Sequence, residues 1–264
     1  MALPIPNIRG NLFDVTGKVV AVTGAAQGIG RCLSIGFASA GSSVVIADMN
    51  GDRLEKTKGE ISEISENVAA VVTDVSADDA ADRITGAANE LGGKLDTLIN
   101  NAGIMSFTDA LTIQDEEWDR MYDINLRSPM RIMRAALNVM VSQGYGSVIN
   151  IGSSWSSRAS AFNQDGGGVD YCSAKAALQS LSRGAAQDVA KFGVRVNAIA
   201  PGGVDTPMHA DHRDNLFAYE KYIPIGRMEV AEDLVGTAIF LASEASSYIT
   251  GQTIHVNGGL LMVD

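Results

Sequence analysis

Short apolar runs rich in β-branched residues alternate along the chain with stretches of helical periodicity. The runs are Lys18–Thr23, Ser43–Ala47 ending at Asp48, Val68–Thr73 ending at Asp74, Leu95–Asn100, Gly146–Ile151, Val194–Ala200 stopped by Pro201, and Thr253–Val256. Such runs predict buried strands. Between them, helical patterns are predicted from a glycine turn through Ala40, then over Arg53–Glu66, Ala77–Leu91 and Glu116–Val141. Two more run from Tyr171 to about Phe192 and over Ala231–Leu241. The alternation shows no linker and no shift of composition. It predicts one α/β domain over 16–264, a doubly wound sheet of seven parallel strands flanked by helices. Residues 1–15 read as an arm running over the surface, and no repeat of fixed period is present.

Composition narrows the classes. With 46% hydrophobic residues in 264, the chain can bury a full core. Lys+Arg 20 against Asp+Glu 31 gives −11 and a pI near 4.7, a balance that argues against nucleic acid as a partner. No apolar run has the length of a membrane span, and the first residues carry no apolar stretch of signal-peptide length. Cys32 and Cys172 fall at predicted helix starts and do not resemble a disulfide framework, so a reducing cytoplasm is the expected setting.

Two local patterns bear on chemistry. The first strand breaks into Gly24-Ala25-Ala26-Gln27-Gly28-Ile29-Gly30, followed by a helix and a second strand ending at Asp48. Glycines at such a turn let backbone N–H groups approach a pyrophosphate, and the helix N-terminus adds a favourable dipole. The spacing is not G-x-G-x-x-G, because Leu33 stands where the third glycine would be. Asp48 lies 48 − 24 = 24 residues after Gly24, near the offset of a carboxylate that binds an adenosine ribose. Gln27, Met49 and Asn50 offer no cation for a 2′-phosphate, which points to NAD rather than NADP. The second pattern is Tyr171-Cys172-Ser173-Ala174-Lys175, with tyrosine and lysine one helical turn apart. A free tyrosine titrates near about 10. A cation one turn away is expected to lower that value and let the phenol exchange a proton with an alcohol oxygen. The ends of the strands, at Gly24, Asp48, Asp74, Asn100, Ser153 and Pro201, are where ligands gather in an open parallel sheet.

These residues carry a family resemblance. The motifs Thr23-Gly24-Ala25-Ala26-Gln27-Gly28-Ile29-Gly30, Asn100-Asn101-Ala102-Gly103, Asn125, Ser153, Tyr171-Cys172-Ser173-Ala174-Lys175, Pro201-Gly202 and Val256-Asn257-Gly258-Gly259 occur in that order. Over about Thr16 to Gly259 the chain resembles the short-chain dehydrogenase/reductase family of classical type. The family's glycine turn is Thr-Gly-x-x-x-Gly-x-Gly, which accounts for the spacing above. The resemblance implies a Rossmann-like fold, a nicotinamide cofactor and a homotetramer. It implies Tyr171 as acid/base and Ser153 as hydrogen-bond partner of the reacting oxygen. Lys175 would hold the nicotinamide ribose, and Asn125 would hold a water linking Lys175 to solvent. Around the cofactor it implies Gly24, Gln27, Gly28, Ile29 and Gly30 at the turn, Asp74 and Val75 at the adenine, and Asn101, Ala102 and Gly103 along its length. Pro201, Gly202, Val204 and Thr206 would anchor its nicotinamide end. There is one departure. Ser153 precedes Tyr171 by 171 − 153 = 18 residues, farther than in the family's usual pattern, with Asn163–Gly168 in the extra loop. Ser154, Ser156 and Ser157 are therefore rivals of Ser153.

Other features have plain readings. Met121, Met130, Met133 and Met140 suit packing. Asp78-Asp79 and Asp115-Glu116-Glu117 suit helix starts. Trp155 is either a substrate-facing wall or core. His209 and His212 have ligand spacing but stand in a segment better suited to a substrate lid, so no metal is expected. The expected function is NAD-dependent hydride transfer on a small polyol, sugar or hydroxy acid. The alternatives are an NADPH-dependent 3-oxoacyl-carrier reductase and a catalytically silent dinucleotide-binding regulator. The presence of all four of Asn125, Ser153, Tyr171 and Lys175 speaks against the silent version.

Overall fold

A computed structural model of the chain describes residues 10–157, 168–212, 214, 217–218 and 220–263. Residues 1–9 of the expected arm and Asn163–Gly167 of the expected loop lie outside this set. The seven expected strands form: β1 (Val19–Thr23), β2 (Ser43–Asp48), β3 (Val68–Val72), β4 (Thr97–Asn100), β5 (Gly146–Ile151), β6 (Val194–Pro201) and β7 (Thr253–Val256). All pair in parallel, in the order β3-β2-β1-β4-β5-β6-β7. β1 sits between β2 and β4, with Val22 beside Ile46 and Ile99. The order reverses there, so the connections leave β1 and β4 in opposite directions and open a crevice at their carboxyl ends.

Helices α1 (Gly28–Ser39), α2 (Gly51–Ser62) and α7 (Val235–Ala242) cover one face. Leu33, Phe37, Leu54 and Leu241 pack there against Val20, Val22, Val44 and Ile46. Helices α3 (Ala80–Gly92), α5 (Ser128–Gln143) and α6 (Val169–Val189) cover the other face. Ile84, Ile132, Met140 and Val189 pack there against Val19, Val45, Leu98 and Val148. A sheet covered on both sides has no polar face, which is why its strands read as continuous apolar runs. Met121, Met133 and Met140 are buried, as packing residues should be. From Leu12 onward the chain is tied down: Ala245 N donates to Leu12 O at 3.0 Å, Phe13 meets Phe240, and Val15 is buried.

The pattern over Glu116–Val141 predicted one helix, and the structure divides it. Helix α4 (Asp115–Tyr122) passes into a π-helical turn, Asp123–Arg127, before α5 begins. Ser128 N bonds to Asp123 O, five residues back, and Ser128 Oγ donates to the same carbonyl at 2.7 Å. The turn inserts one extra residue into the helical repeat and turns Asn125 fully inward, at 0% exposure. Periodicity could not reveal this, because an insertion of one residue barely disturbs an apolar stripe. The Ala231–Leu241 helix is also divided, into a 3₁₀ turn over Ala231–Leu234 and then α7.

A polar chain crosses the apolar layer beneath the crevice. Asn100 Nδ2 donates to Asn150 Oδ1 at 2.8 Å, and Asn150 Nδ2 donates to Ser182 Oγ at 2.8 Å. It ties β4 to β5 and β5 to α6, holding α6 against the strands it serves. Truncating the middle member removes two buried bonds at once, leaving Asn100 Nδ2 only its longer bond to Pro129 O at 3.3 Å and Ser182 Oγ only its bond to Leu178 O at 2.8 Å. Asn150→Ala should therefore cost about 2–4 kcal/mol in a urea unfolding titration. An unchanged urea midpoint would mean that the bonds contribute nothing net.

Candidate active site

One continuous cleft of about 400 Å³ runs along the carboxyl edge of the sheet. Three strand ends and one helix bring its reactive side chains together. β5 ends at Ile151, and Ser153 follows in extended conformation, capping a single 3₁₀ turn over Ser154–Ser156 by accepting Trp155 N at 3.1 Å. Helix α6 starts at Val169 after Gly168, whose φ of 61° is left-handed and whose added Cβ would lie 2.9 Å from Ser106 O. Asp170 Oδ1 accepts Tyr171 N at 2.8 Å and Ser106 Oγ at 2.5 Å, fixing the first turn of α6. Tyr171 and Lys175 then face the cleft one turn apart. The Tyr171 phenol is hydrogen-bonded to the Ser153 side chain. Lys175 Nζ donates to Ile151 O at 2.8 Å and lies 5.8 Å from the centre of the Tyr171 ring.

Of the four candidate serines, Ser153 lines the cleft. Ser154 Oγ donates to Ala200 O at 3.3 Å and Ser156 Oγ to Gln179 Oε1 at 2.7 Å, both away from it. Trp155 belongs both to a buried cluster and to the cleft lining. It is buried, packs edge-on against Tyr171 and Phe107, and forms part of the cleft wall.

The electrostatics differ from the expected form. Tyr171 is 9% exposed and Lys175 is 5% exposed. Burial pushes the Tyr171 phenol up to about 12, with the hydrogen bond to Ser153 pulling the other way. Burial also brings the Lys175 ammonium down to about 8. At neutral pH the pair is therefore a phenol and an ammonium ion. The expectation that the lysine lowers the tyrosine gives way, because loss of water outweighs a cation held several ångströms from the ring.

Asn125 is anchored by its side chain to the loop after β4. It does not line the cleft. Its Oδ1 accepts Ile104 N at 2.9 Å and its Nδ2 donates to Ile104 O at 2.8 Å and to Met121 Sδ. The amide grips the backbone of the loop after β4, and a Cβ at Gly103 would lie 2.8 Å from Asn125 Oδ1.

The remaining predicted residues fall along the cleft in order. Gly24, Gln27, Gly28 and Ile29 form one wall, with Asp48, Asp74 and Val75 at one end. Asn101, Ala102 and Gly103 form the floor, and Pro201, Gly202, Val204 and Thr206 form the opposite wall. Gly30 is the exception. It sits behind the turn, where an added Cβ would lie 2.2 Å from Gly24 O, so its role is close helix–strand packing. His209 lies in the cleft wall, with Nδ1 3.4 Å from Thr206 Oγ1. The side chain of His212 lies outside the described residues. No group of three metal-ligating side chains occurs among the described residues.

Comparison with known proteins accounts for this arrangement. The family model described as enoyl-(acyl carrier protein) reductase matches residues 24–261. The chain belongs to the short-chain dehydrogenase/reductase family. It is 35% identical over 253 residues to the 3-oxoacyl-(acyl-carrier-protein) reductase of Rickettsia felis, covering 96% of this chain and all of that one. It is 37% identical over 259 residues to galactitol 2-dehydrogenase of Agrobacterium fabrum, covering 93% and 98%. A solved 3-ketoacyl-(acyl-carrier-protein) reductase from Brucella melitensis, complexed with NADH, has a TM-score of 0.85 at 30% identity, covering 94% and 99%. The chain is thus a short-chain oxidoreductase acting on CH–OH groups with a nicotinamide dinucleotide.

The cleft of this short-chain oxidoreductase fits that cofactor. Gly24 and Gly28 have left-handed φ of 66° and 55°, which favours glycine there, and glycine puts no side chain toward the cleft. A Cβ on Gly24 would lie 2.8 Å from Ala102 Cα, and one on Gly28 would lie 3.5 Å from Thr206 across the cleft. α1 begins there, and its N-cap Gln27 makes no side-chain cap bond, so first-turn N–H groups face the cleft.

Two residues of interest escaped the sequence reading. Arg53, in the first turn of α2, lines the cleft beside Asp48. Glu229 lies beneath the wall formed by Pro201–Thr206. It is 7% exposed, and its Oε2 accepts Gly202 N at 2.7 Å while Oε1 is buried without a hydrogen-bond partner among the described residues. Only the fold brings Glu229 to Gly202, 229 − 202 = 27 residues earlier, so no local pattern could have found it. Burial pushes its carboxyl up from 4.5 to about 8, against the Gly202 hydrogen bond. The folded state therefore holds a proton that the unfolded chain releases near 4.5. The stability this group contributes is full below that pH and is lost as the pH rises through about 8. Glu229→Gln removes the titration. Its melting temperature relative to wild type should climb between about pH 5 and 8 and then level off. A difference independent of pH would overturn the assignment of a buried neutral acid.

Proposed function

We propose that the protein is an NAD(H)-dependent dehydrogenase or reductase of a small polyol, sugar or hydroxy acid, the bound nicotinamide giving or taking the hydride at a secondary carbon. The observation that carries this reading is the Tyr171 phenol, bonded to Ser153 and backed by the Lys175 ammonium, in the same cleft as the glycine turn. In reduction, Tyr171 gives its proton to the carbonyl oxygen; in oxidation it takes the proton back. Ser153 Oγ holds the same oxygen and stabilises its charge. Lys175, protonated below about pH 8, offsets the phenolate that remains after proton transfer. Trp155 supplies an apolar wall that keeps water from the exchange. Asn125 holds the floor through Ile104. A silent regulator would have no use for a phenol and an ammonium kept buried at this cost.

Asp48 supports NAD. Its Oδ2 accepts Ala26 N at 3.1 Å and its Oδ1 accepts Asn50 N at 2.9 Å, which leaves further lone pairs for ribose hydroxyls. The likeness to galactitol 2-dehydrogenase supports a polyol. A second reading, an NADPH-dependent 3-oxoacyl-carrier reductase, is supported by the likeness to the Rickettsia enzyme and by the cation Arg53 at the ribose end. A net charge of −11 weighs against it, since an acidic carrier would be repelled. We place the protein in the reducing cytoplasm, in keeping with two free cysteines, Cys32 and Cys172. No helix among the described residues is long and apolar enough to cross a membrane. We also propose a homotetramer; exposed Tyr222, Ile225 and Met262 are the kind of apolar surface an assembly covers.

Tyr171→Phe keeps the ring and removes the proton. Binding of NADH, followed by fluorescence, should persist while turnover falls by about a thousandfold or more. Near-native turnover would end the proposed mechanism. The substrate class is tested by a panel of polyols, ketoses, keto acids and 3-oxoacyl thioesters with either cofactor. NAD(H) should exceed NADP(H) by at least about tenfold in kcat/KM, and the best substrate should be a polyol, sugar or hydroxy acid. Faster turnover of a 3-oxoacyl thioester with NADPH would put the carrier reductase first.

A further inference from the structure

The fold brings a cation to the Asp48 end of the cleft that the order of residues conceals. Asn50 caps α2, its Oδ1 accepting Arg53 N at 3.0 Å, so Arg53 is fixed in the first turn of that helix. Its side chain lines the cleft together with Asp48, Met49 and Asn50. Nη1 donates to Oε1 of Gln27, which belongs to the neighbouring glycine turn and also lines the cleft. The guanidinium therefore rests on a neutral amide at the edge of the cleft. No carboxylate is paired with Arg53 among the described residues, whereas the nearby Arg31 is held by Glu60 at 2.7 Å.

Asp48 is a tempered anion. Each of its oxygens already accepts a backbone N–H, from Ala26 and from Asn50. Its attraction for ribose hydroxyls survives, since each oxygen keeps a lone pair, but its repulsion of a nearby phosphate is reduced. One end of the cleft thus carries two opposed selectors. The carboxylate favours a free 2′-hydroxyl, and the guanidinium favours a 2′-phosphate, whose oxygens match its planar fork.

We propose that Arg53 is a specificity-determining residue: on leaving Gln27 its guanidinium binds the 2′-phosphate of NADP, so that the cleft accepts both dinucleotides, with NAD preferred through Asp48. Gln27 is then a parking site that keeps the cation out of the ribose pocket when no phosphate is offered. The exchange is favourable because a phosphate gives the fork charged oxygens in place of one neutral one. This inference rests on the reading that Asp48 marks the adenosine-ribose end.

The test isolates that end from the chemistry. Adenosine 2′,5′-bisphosphate and AMP differ only in the 2′-phosphate, and their affinities can be measured by titration calorimetry without turnover. Arg53→Ala should weaken the bisphosphate by at least about tenfold and AMP by less than about threefold, with Arg53→Lys between wild type and alanine. Raised salt should weaken the bisphosphate more steeply in wild type than in Arg53→Ala. The NADP/NAD ratio of kcat/KM should fall in parallel. Equal weakening of both probes would overturn the proposal and make Arg53 a support of the adenosine or of α2. Unchanged affinities would overturn it by leaving the guanidinium on Gln27. A wild type that turns over NADPH faster than NADH would overturn the NAD preference alone, because the Arg53 assignment depends on the ratio of the two probe affinities.

Discussion

The site depends on a knot of hydrogen bonds between the ends of β1 and β4. Thr23 Oγ1 accepts both Asn101 N and Ala102 N, at 3.0 and 3.1 Å, while Asn101 Nδ2 donates to Thr23 O and Gly24 O, at 2.9 and 3.1 Å. Two paired strands whose following connections run in opposite directions are tied together where the strand order reverses. The glycine turn and the cleft floor can then approach to backbone contact, which Gly24 and Gly30 permit by having no Cβ. Without the knot the crevice would still exist, as in any doubly wound sheet, but its two walls would have no fixed separation.

Burial then sets the protonation of what the cleft holds. Removing water raises the phenol and lowers the ammonium, so both groups are uncharged more readily than in solution. Lys175 is still charged at neutral pH, and Tyr171 holds its proton until it is needed. The same removal of water acts on Glu229, a group outside the cleft lining, and keeps a carboxyl neutral beside Gly202. Desolvation, more than any single ion pair, gives this edge of the molecule its chemistry.

The fold was legible to a large degree. Strands buried on both faces wrote themselves as apolar runs, and their alternation with helices determined parallel order and one sheet. The motifs at the strand ends were legible for the same reason, since topology sends all of them to one edge. What local pattern could not convey was side-chain direction. Asn125 sits in a turn of altered pitch and holds the floor rather than lining the cleft. Gly30 packs instead of binding. Arg53 lies in the first turn of a helix that begins earlier than its polarity suggested, and so a cation escaped notice. Glu229 reaches Gly202 across a long separation in sequence, through a pairing of Val204 with Glu229 that no periodicity announces.

The π-helical turn at Asp123–Arg127 has a consequence for how such a chain can vary. Each residue of an α-helix advances the side chains by about a quarter of a turn. Losing one residue from this turn would let α4 and α5 merge into a single regular helix, better bonded than before. The merger would rotate α4 relative to α5 and carry Ile104's clamp out of register, leaving a sturdier protein with a loosened floor. The helix here is kept imperfect by length alone, and sequence changes that preserve every reactive side chain could still disable the cleft by altering that count.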